Sequence, residues 1–229
     1  DLLVVTSDWL EASLRSRARA MVTVRNAAEY EVFAQVPAQV HADPAGRAVI
    51  GYFGAIAEWF DVDLVRAVAA AFPQASVVLV GNDTANVGEA LADLPNVRMV
   101  GEVPYEALPA WLHGFDACLL PFRRIPLTLA TNPVKAYEYL ASGKPIVSID
   151  LPEMRQFGDL VSVAADAGEF VEAIGRALAE PADDPRRAAR QAFAAGQTWA
   201  HRADALGQAL DSLDEPRVSV VVLTWNNLA

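Results

Sequence analysis

Six short apolar runs recur along the chain, separated by stretches of helical spacing, and this alternation limits the fold more than any other feature. The runs are residues 48–53, 76–80, 96–100, 116–120, 145–149 and 160–163. Most are apolar at nearly every position and not at every second one, as in strands buried on both faces of a parallel sheet. Between them, Leu64, Val65, Val68 and Phe72 share one face of a helix predicted over about 61–72. A second helix is predicted near 105–113, and a third carries Phe170, Val171, Ile174 and Leu178. The expected fold is α/β with a doubly wound parallel sheet. Such sheets bind ligands at the carboxyl ends of their strands.

Residues 131–147, TNPVKAYEYLASGKPIV, carry the richest local signal. They read as a loop, a short helix, a stop and a buried strand. Asn132 is a good N-cap, and Pro133 suits the first helical position, where its missing N–H costs nothing. Val134, Tyr137, Leu140 and Ala141 fall on one face, and Gly143 supplies the stop. The helix then directs the free N–H groups of Val134 and Lys135 beyond the sheet edge, an arrangement that favours an anion, typically phosphate. Lys135 adds positive charge there, and Glu138, one turn along, offers acceptors to sugar or ribose hydroxyls. These residues alone leave a blander reading open, a surface pair of Lys135 with Glu138 worth ~0.2–0.5 kcal/mol.

Bulk properties exclude several classes. The 229 residues, 53% of them hydrophobic, suffice for one sizeable core with appendages. A net charge of −11 argues against a nucleic-acid surface, although Arg123, Arg124 and Lys135 can make one pocket locally positive. Cys118 is the single cysteine, which rules out an internal disulfide and a cysteine-based zinc cluster. In its apolar, strand-like setting it is expected to be a packed thiol. No apolar run approaches the ~20 residues that span a bilayer, and no signal-peptide pattern opens the sequence. The expected location is therefore the cytoplasm, with the inner membrane face as an alternative. Because the sequence opens on Asp1 in mid-pattern, it is expected to be a piece of a longer chain.

Pro121-Phe122-Arg123-Arg124, a short loop and then NPVKAYEYLASGKPIV together resemble the donor-binding segment of the GT-B-type glycosyltransferases, in particular the mostly retaining group 1 enzymes. The resemblance implies a Rossmann-like lobe that binds a nucleoside diphosphate sugar, a UDP-sugar above others, without metal or cofactor. The glycan acceptor would sit on the other lobe. In that family a glycine turn after the first strand approaches the diphosphate, and Gly54 fits it. The loop Gly101-Glu102-Val103-Pro104-Tyr105 is similar to the one that reads the base, with Pro104 and Tyr105 packed on the ring and backbone groups near Val103 on its edge. The implied binding set is Gly54, Val103, Pro104, Tyr105, Arg123, Asn132, Val134, Lys135 and Glu138; catalytic residues are left unassigned. Departures from the family pattern stand beside these matches. The usual arginine and lysine after the glycine are Ala55 and Phe60, and the first of two usual glutamates is Ala130. Arg123, Lys135 and backbone N–H groups would then have to meet the diphosphate alone.

The resemblance also divides the chain. Residues 1–46 read as the end of a preceding lobe plus an interlobe linker, and 47–213 as the nucleotide-sugar lobe. Residues 214–229 read as a linker and the truncated start of a second enzyme, because VSVVVLTWNN resembles the first strand of a GT-A-type, family 2 glycosyltransferase. Other candidates are weaker. Asp61-Val62-Asp63 opens a helix and is expected to cap it. No G-x-G-x-x-G follows a strand and no G-K-[ST] is present. His41, His113 and His201 lack metal-ligand spacing, and Trp59 reads either as a wall of the site's mouth or as a partly buried loop aromatic. Two further functions stay open at this level: a non-catalytic lobe that binds a partner or activated sugar, and a nucleotide-sugar epimerase.

Overall fold

The computed structural model describes residues 2–213. Its centre is a six-stranded, wholly parallel sheet of β3 (Val49–Phe53), β4 (Ser76–Val80), β5 (Val97–Gly101), β6 (Ala117–Leu120), β7 (Ile146–Ile149) and β8 (Ser162–Ala164). The order is β5-β4-β3-β6-β7-β8. Every residue of β3, β4, β6 and β7 is buried, as their unbroken apolar runs require. The edge strands β5 and β8 are partly exposed. These observed strands lie within two residues of the expected ones, and the six apolar runs are the six strands.

The described residues form ten α-helices. They are α1 (Asp8–Leu14), α2 (Tyr30–Ala34), α3 (Val62–Ala71), α4 (Val87–Ala90), α5 (Leu108–Leu112), α6 (Pro126–Ala130), α7 (Val134–Ser142), α8 (Ala167–Leu178), α9 (Pro185–Ala195) and α10 (Trp199–Asp211). Parallel crossovers are right-handed. Because β3 to β4 steps one way across the sheet and β6 to β7 the other, α3 and α7 lie on opposite faces. α3 packs on α8, whereas α7 is flanked by α2 and α9. Asp61 caps α3 by accepting from Leu64 N–H at 3.0 Å, as expected of the D-x-D segment. Cys118 is fully buried, and burial pushes its thiol up to about 12.

Residues 2–34 add a small parallel pair, β1 (Leu2–Val5) with β2 (Ala20–Thr23), and the helix α1 between them. One buried carboxylate joins this unit to the sheet domain. Glu153, 2% exposed, accepts from Asp8 N–H at 2.8 Å, Arg25 Nε at 2.9 Å, Asn132 Nδ2 at 2.8 Å and Gln156 Nε2 at 3.2 Å. Arg25 also meets Asp8. Among the described residues no helix is long and apolar enough to cross a membrane. The strand expected over 218–223 lies outside the described residues.

Three differences from the sequence reading have a common cause. The short helices α2, α4 and α6 were not anticipated, since four or five residues are too few to display a period. Asn132 does not cap α7. Its Oδ1 accepts from Asn26 N–H at 2.9 Å while its Nδ2 donates to Glu153, and Pro133 takes the cap position with no side-chain bond. α7 is also not half-exposed. Besides Tyr137, Leu140 and Ala141 it buries Ala136, Glu138, Tyr139 and Ser142, because α2 and α9 enclose the side that periodicity assigns to water. In each case packing decides what local sequence pattern does not show. Removing the shared acceptor by Glu153→Ala should destabilise the chain by about 3–5 kcal/mol, the range for stripping one partner from a buried ionic cluster. Urea unfolding measures this, and a loss under about 1 kcal/mol would show that the cluster is dispensable.

Candidate functional site

β3 ends in a turn at Gly54, whose φ of +123° lies where side chains are seldom tolerated. Gly54 N–H donates to Val80 O at 2.8 Å, and Ile56 N–H donates to Asn82 O at 2.9 Å, which locks this turn against the one after β4. The Tyr52 hydroxyl donates to Ala55 O at 2.8 Å and pins the turn from below. The strand order reverses between β3 and β6, so this turn borders the topological switch point where such sheets take ligands.

α7 meets the turn from the other side. Among the described residues no carbonyl or side chain accepts from the N–H groups of Val134 or Lys135, while the next, Ala136, donates to Pro133 O at 3.2 Å. The Lys135 side chain runs across Gly54, and its Nζ stands 5.7 Å from the centroid of the Tyr52 ring. Desolvation lowers the Lys135 pKa, offset in part by the charge of Glu138. One turn further on, the Glu138 carboxylate is 5% exposed and takes part in none of the fold's hydrogen bonds. Burial pushes its pKa up to about 7, with Lys135 pulling it down and Glu29 pushing it up. Lys135 and Glu138 form no ion pair within 4.0 Å, so the surface-pair reading fails. Both groups thus lack a protein partner, Glu138 buried and Lys135 half-buried, while their polar atoms keep some access to solvent.

The expected base-reading loop leaves β5 at Gly101. Val103 is half-buried, while Pro104 and Tyr105 are exposed. The Tyr105 ring stands edge-on to Phe33 at 5.6 Å and, with Glu29, Val32, Val36 and Pro109, lines a cavity of about 470 Å³. Burial and the negative charges of Glu138 and Glu29 push its hydroxyl up to about 12, so it stays protonated. Glu29, at the N-cap of α2, therefore brings a second carboxylate towards Glu138 and Tyr105. Sequence reading missed it, and no local spacing marks it, for it reaches the site only through the packing of α2 on α7.

The remaining expected residues are placed less favourably. The Arg123 guanidinium donates to Glu58 O at 3.2 Å, and Arg124 donates to Asp150 O at 3.1 Å and Ala165 O at 3.0 Å. Both are thus engaged with carbonyls, Arg124 at the β7–β8 side of the sheet. The Asn132 amide is engaged by Asn26 and Glu153 and does not cap α7. Trp59 is half-buried, and its carbonyl accepts from Arg123 N–H at 2.8 Å. Phe60 is 3% exposed and lies edge-on to Tyr52 at 5.0 Å, so position 60 is built into the core and a cation there would face inward.

A family model described as Glycosyl transferases group 1 matches residues 47–180, more than half of the chain. TuaH of Bacillus subtilis (strain 168), named as a teichuronic acid biosynthesis glycosyltransferase, is 26% identical in an alignment of 213 positions that covers 87% of this chain and 54% of TuaH. Among solved structures, the sucrose-phosphate synthase of Thermosynechococcus elongatus superposes with a TM-score of 0.72 at 22% identity, over 91% of this chain and 57% of that one. HepE of Anabaena in complex with UDP and glucose superposes with a TM-score of 0.71 at 16% identity, over 93% of this chain and 64% of that one. At these identities the two structures share the fold. The chain spans about half the length of the curated relative that it matches.

The raised Glu138 pKa has a consequence for stability. Between the ordinary carboxylate range and pH 7 the folded chain keeps a proton that the unfolded chain has released, so stability falls as pH rises through that window. Lys135, Glu29 and Tyr105 are the charged or titratable groups that face it. Glu138→Gln should therefore be near-neutral at pH 4.5 and stabilising above pH 7, by at most about 3 kcal/mol. Urea unfolding at the two pH values checks this, and an equal effect at both would mean that the carboxyl titrates normally.

Proposed function

The chain belongs to the glycosyl transferases group 1 family, and on that footing we propose that its six-stranded domain holds the nucleoside diphosphate sugar, a UDP-sugar above others, of an enzyme that passes the sugar to a glycan acceptor. The observation that carries this is the unbonded pair of Glu138 and Lys135 at the start of α7. Both groups keep some access to solvent, and a ligand that displaces this water would supply the partners they lack within the protein. Its ligand must offer hydroxyl donors to the carboxylate and, a few ångströms away, negative charge to the ammonium and to the Val134 and Lys135 N–H groups. A ribose diol followed by a diphosphate has this order of groups. HepE, which shares the fold, is bound to UDP and glucose.

In the proposed reaction the α7 N–H groups and Lys135 stabilise the charge that builds up on the departing diphosphate. The reading invokes no metal or cofactor. Val103, Pro104 and Tyr105 would flank the base, and the acceptor would be held by another lobe of the whole protein, with the cytoplasm as its place of work. A second reading, donor binding without turnover, is favoured by Ala55, Phe60 and Ala130 standing where the family carries charged groups. The two differ only in transfer, so sugar release from UDP-sugar by the full-length protein in the presence of acceptor separates them. An epimerase would instead return an altered sugar still attached to the nucleotide.

Binding tests the part common to both readings. Glu138→Ala should weaken UDP binding by ~1.5–3 kcal/mol, the range for hydrogen bonds to charged groups, with uridine losing about as much because the ribose is shared. Isothermal calorimetry reads both values. Undiminished UDP affinity in this variant would remove Glu138 from the site.

A further inference from the structure

We infer that Gly54 is a positioning residue that acts through Lys135: the space left by its missing side chain seats the Lys135 methylenes, and does not serve as the resting place of a phosphate. The inference rests on the nucleotide-binding reading above. A β-carbon built on Gly54 would overlap Lys135 Cε and would lie 2.5 Å from Nζ and 3.3 Å from Cδ. The notch is thus already occupied by this chain's own side chain. Gly81 stands behind it, where a β-carbon would overlap the Gly54 carbonyl oxygen, so the notch cannot deepen or tilt away. Its floor is the Tyr52 ring, 5.7 Å from Nζ, held by the hydroxyl bond to Ala55 O.

This seat compensates for two residues. Ala55 carries no charge, and Phe60 is built into the core against Tyr52. Arg123 and Arg124 donate to carbonyls elsewhere. Among the described residues, Lys135 is the cation found against the glycine turn, and its flexible four-carbon stem could point to many places if the notch did not hold it. Held there, the ammonium is fixed at the same end of α7 as the Val134 and Lys135 N–H groups, and an anion bound there would meet it without first costing the stem's rotamer entropy.

A double-mutant cycle tests the inference with four chains: wild type, Gly54→Ala, Lys135→Ala and the double variant. Backbone strain at φ +123° is common to both backgrounds and cancels in the cycle. Gly54→Ala should lower the melting temperature measurably more when Lys135 is present than when it is absent, though only modestly because the displaced atoms are the end of a flexible side chain, and this comparison needs no ligand. It should weaken UDP binding by about tenfold or more in the wild-type background and by less than about twofold after Lys135→Ala, while uridine binding is nearly unaffected in both. Equal UDP losses in the two backgrounds would mean that the glycine backbone itself meets the phosphate, and would overturn the inference. Lys135→Arg covers the case in which Gly54→Ala does not fold. The forked guanidinium cannot enter between the turn and the Tyr52 ring, so UDP affinity should stay low, and full recovery with arginine would equally overturn the seat. A wild-type chain that bound no UDP would instead sink the nucleotide reading, with the ligand-free coupling still deciding whether Gly54 seats Lys135.

Discussion

Helices must cover both faces of the central sheet, because no residue of β3, β4, β6 or β7 reaches water. Much of the architecture follows from that burial. Parallel neighbours need crossovers, right-handed crossovers put α3 and α7 on opposite faces, and each crossover helix begins at the same carboxyl edge. Where the strand order reverses between β3 and β6, a gap is left at that edge. The Gly54 turn and the open end of α7 border it. The enclosure of α7 by α2 and α9 then dehydrates its second turn, which is what turns an ordinary glutamate into a buried one.

Two buried glutamates show how differently one residue type can be used. Glu153 collects four donors from Asp8, Arg25, Asn132 and Gln156. Its charge is satisfied within the protein, and it ties the small β1–β2 unit to the sheet domain. Glu138, on the neighbouring helix, collects none, and its pKa rises accordingly. The first carboxylate is satisfied within the protein, whereas the polar atoms of Glu138 and of the half-buried Lys135 keep some access to solvent. A partly desolvated carboxylate beside an ammonium at a sheet's carboxyl edge is what the proposed ligand site rests on.

The departures from the group 1 pattern are absorbed by the packing. Phe60 lies against Tyr52, and its neighbour Phe122 stands edge-on to the same ring at 6.3 Å. Tyr52 in turn holds the glycine turn through Ala55 O and floors the slot of Lys135. The position that carries a lysine in the family has thus become part of the support for a lysine arriving from α7. Charge lost from one element is supplied by another, and the same aromatic cluster serves both.

The apolar runs alone determined the fold class and all six strands, because a strand buried on both faces writes its burial directly into consecutive residues. The stop of α7 at Gly143, with φ +75°, was also legible, since termination depends on local backbone preference, whereas its start lies one residue later than the sequence suggests. The role of Asn132, the approach of Glu29, the seating of Lys135 on Gly54 and the dehydration of Glu138 were not. Each depends on a partner far away in the chain: Asn26 and Glu153 for Asn132, α7 for Glu29, α2 for Glu138, the end of β3 for Lys135. Periodicity reports which side of an element is apolar, and local preference reports where it stops. Only the tertiary structure decides which polar groups lose their water, because that depends on what the rest of the chain brings against them.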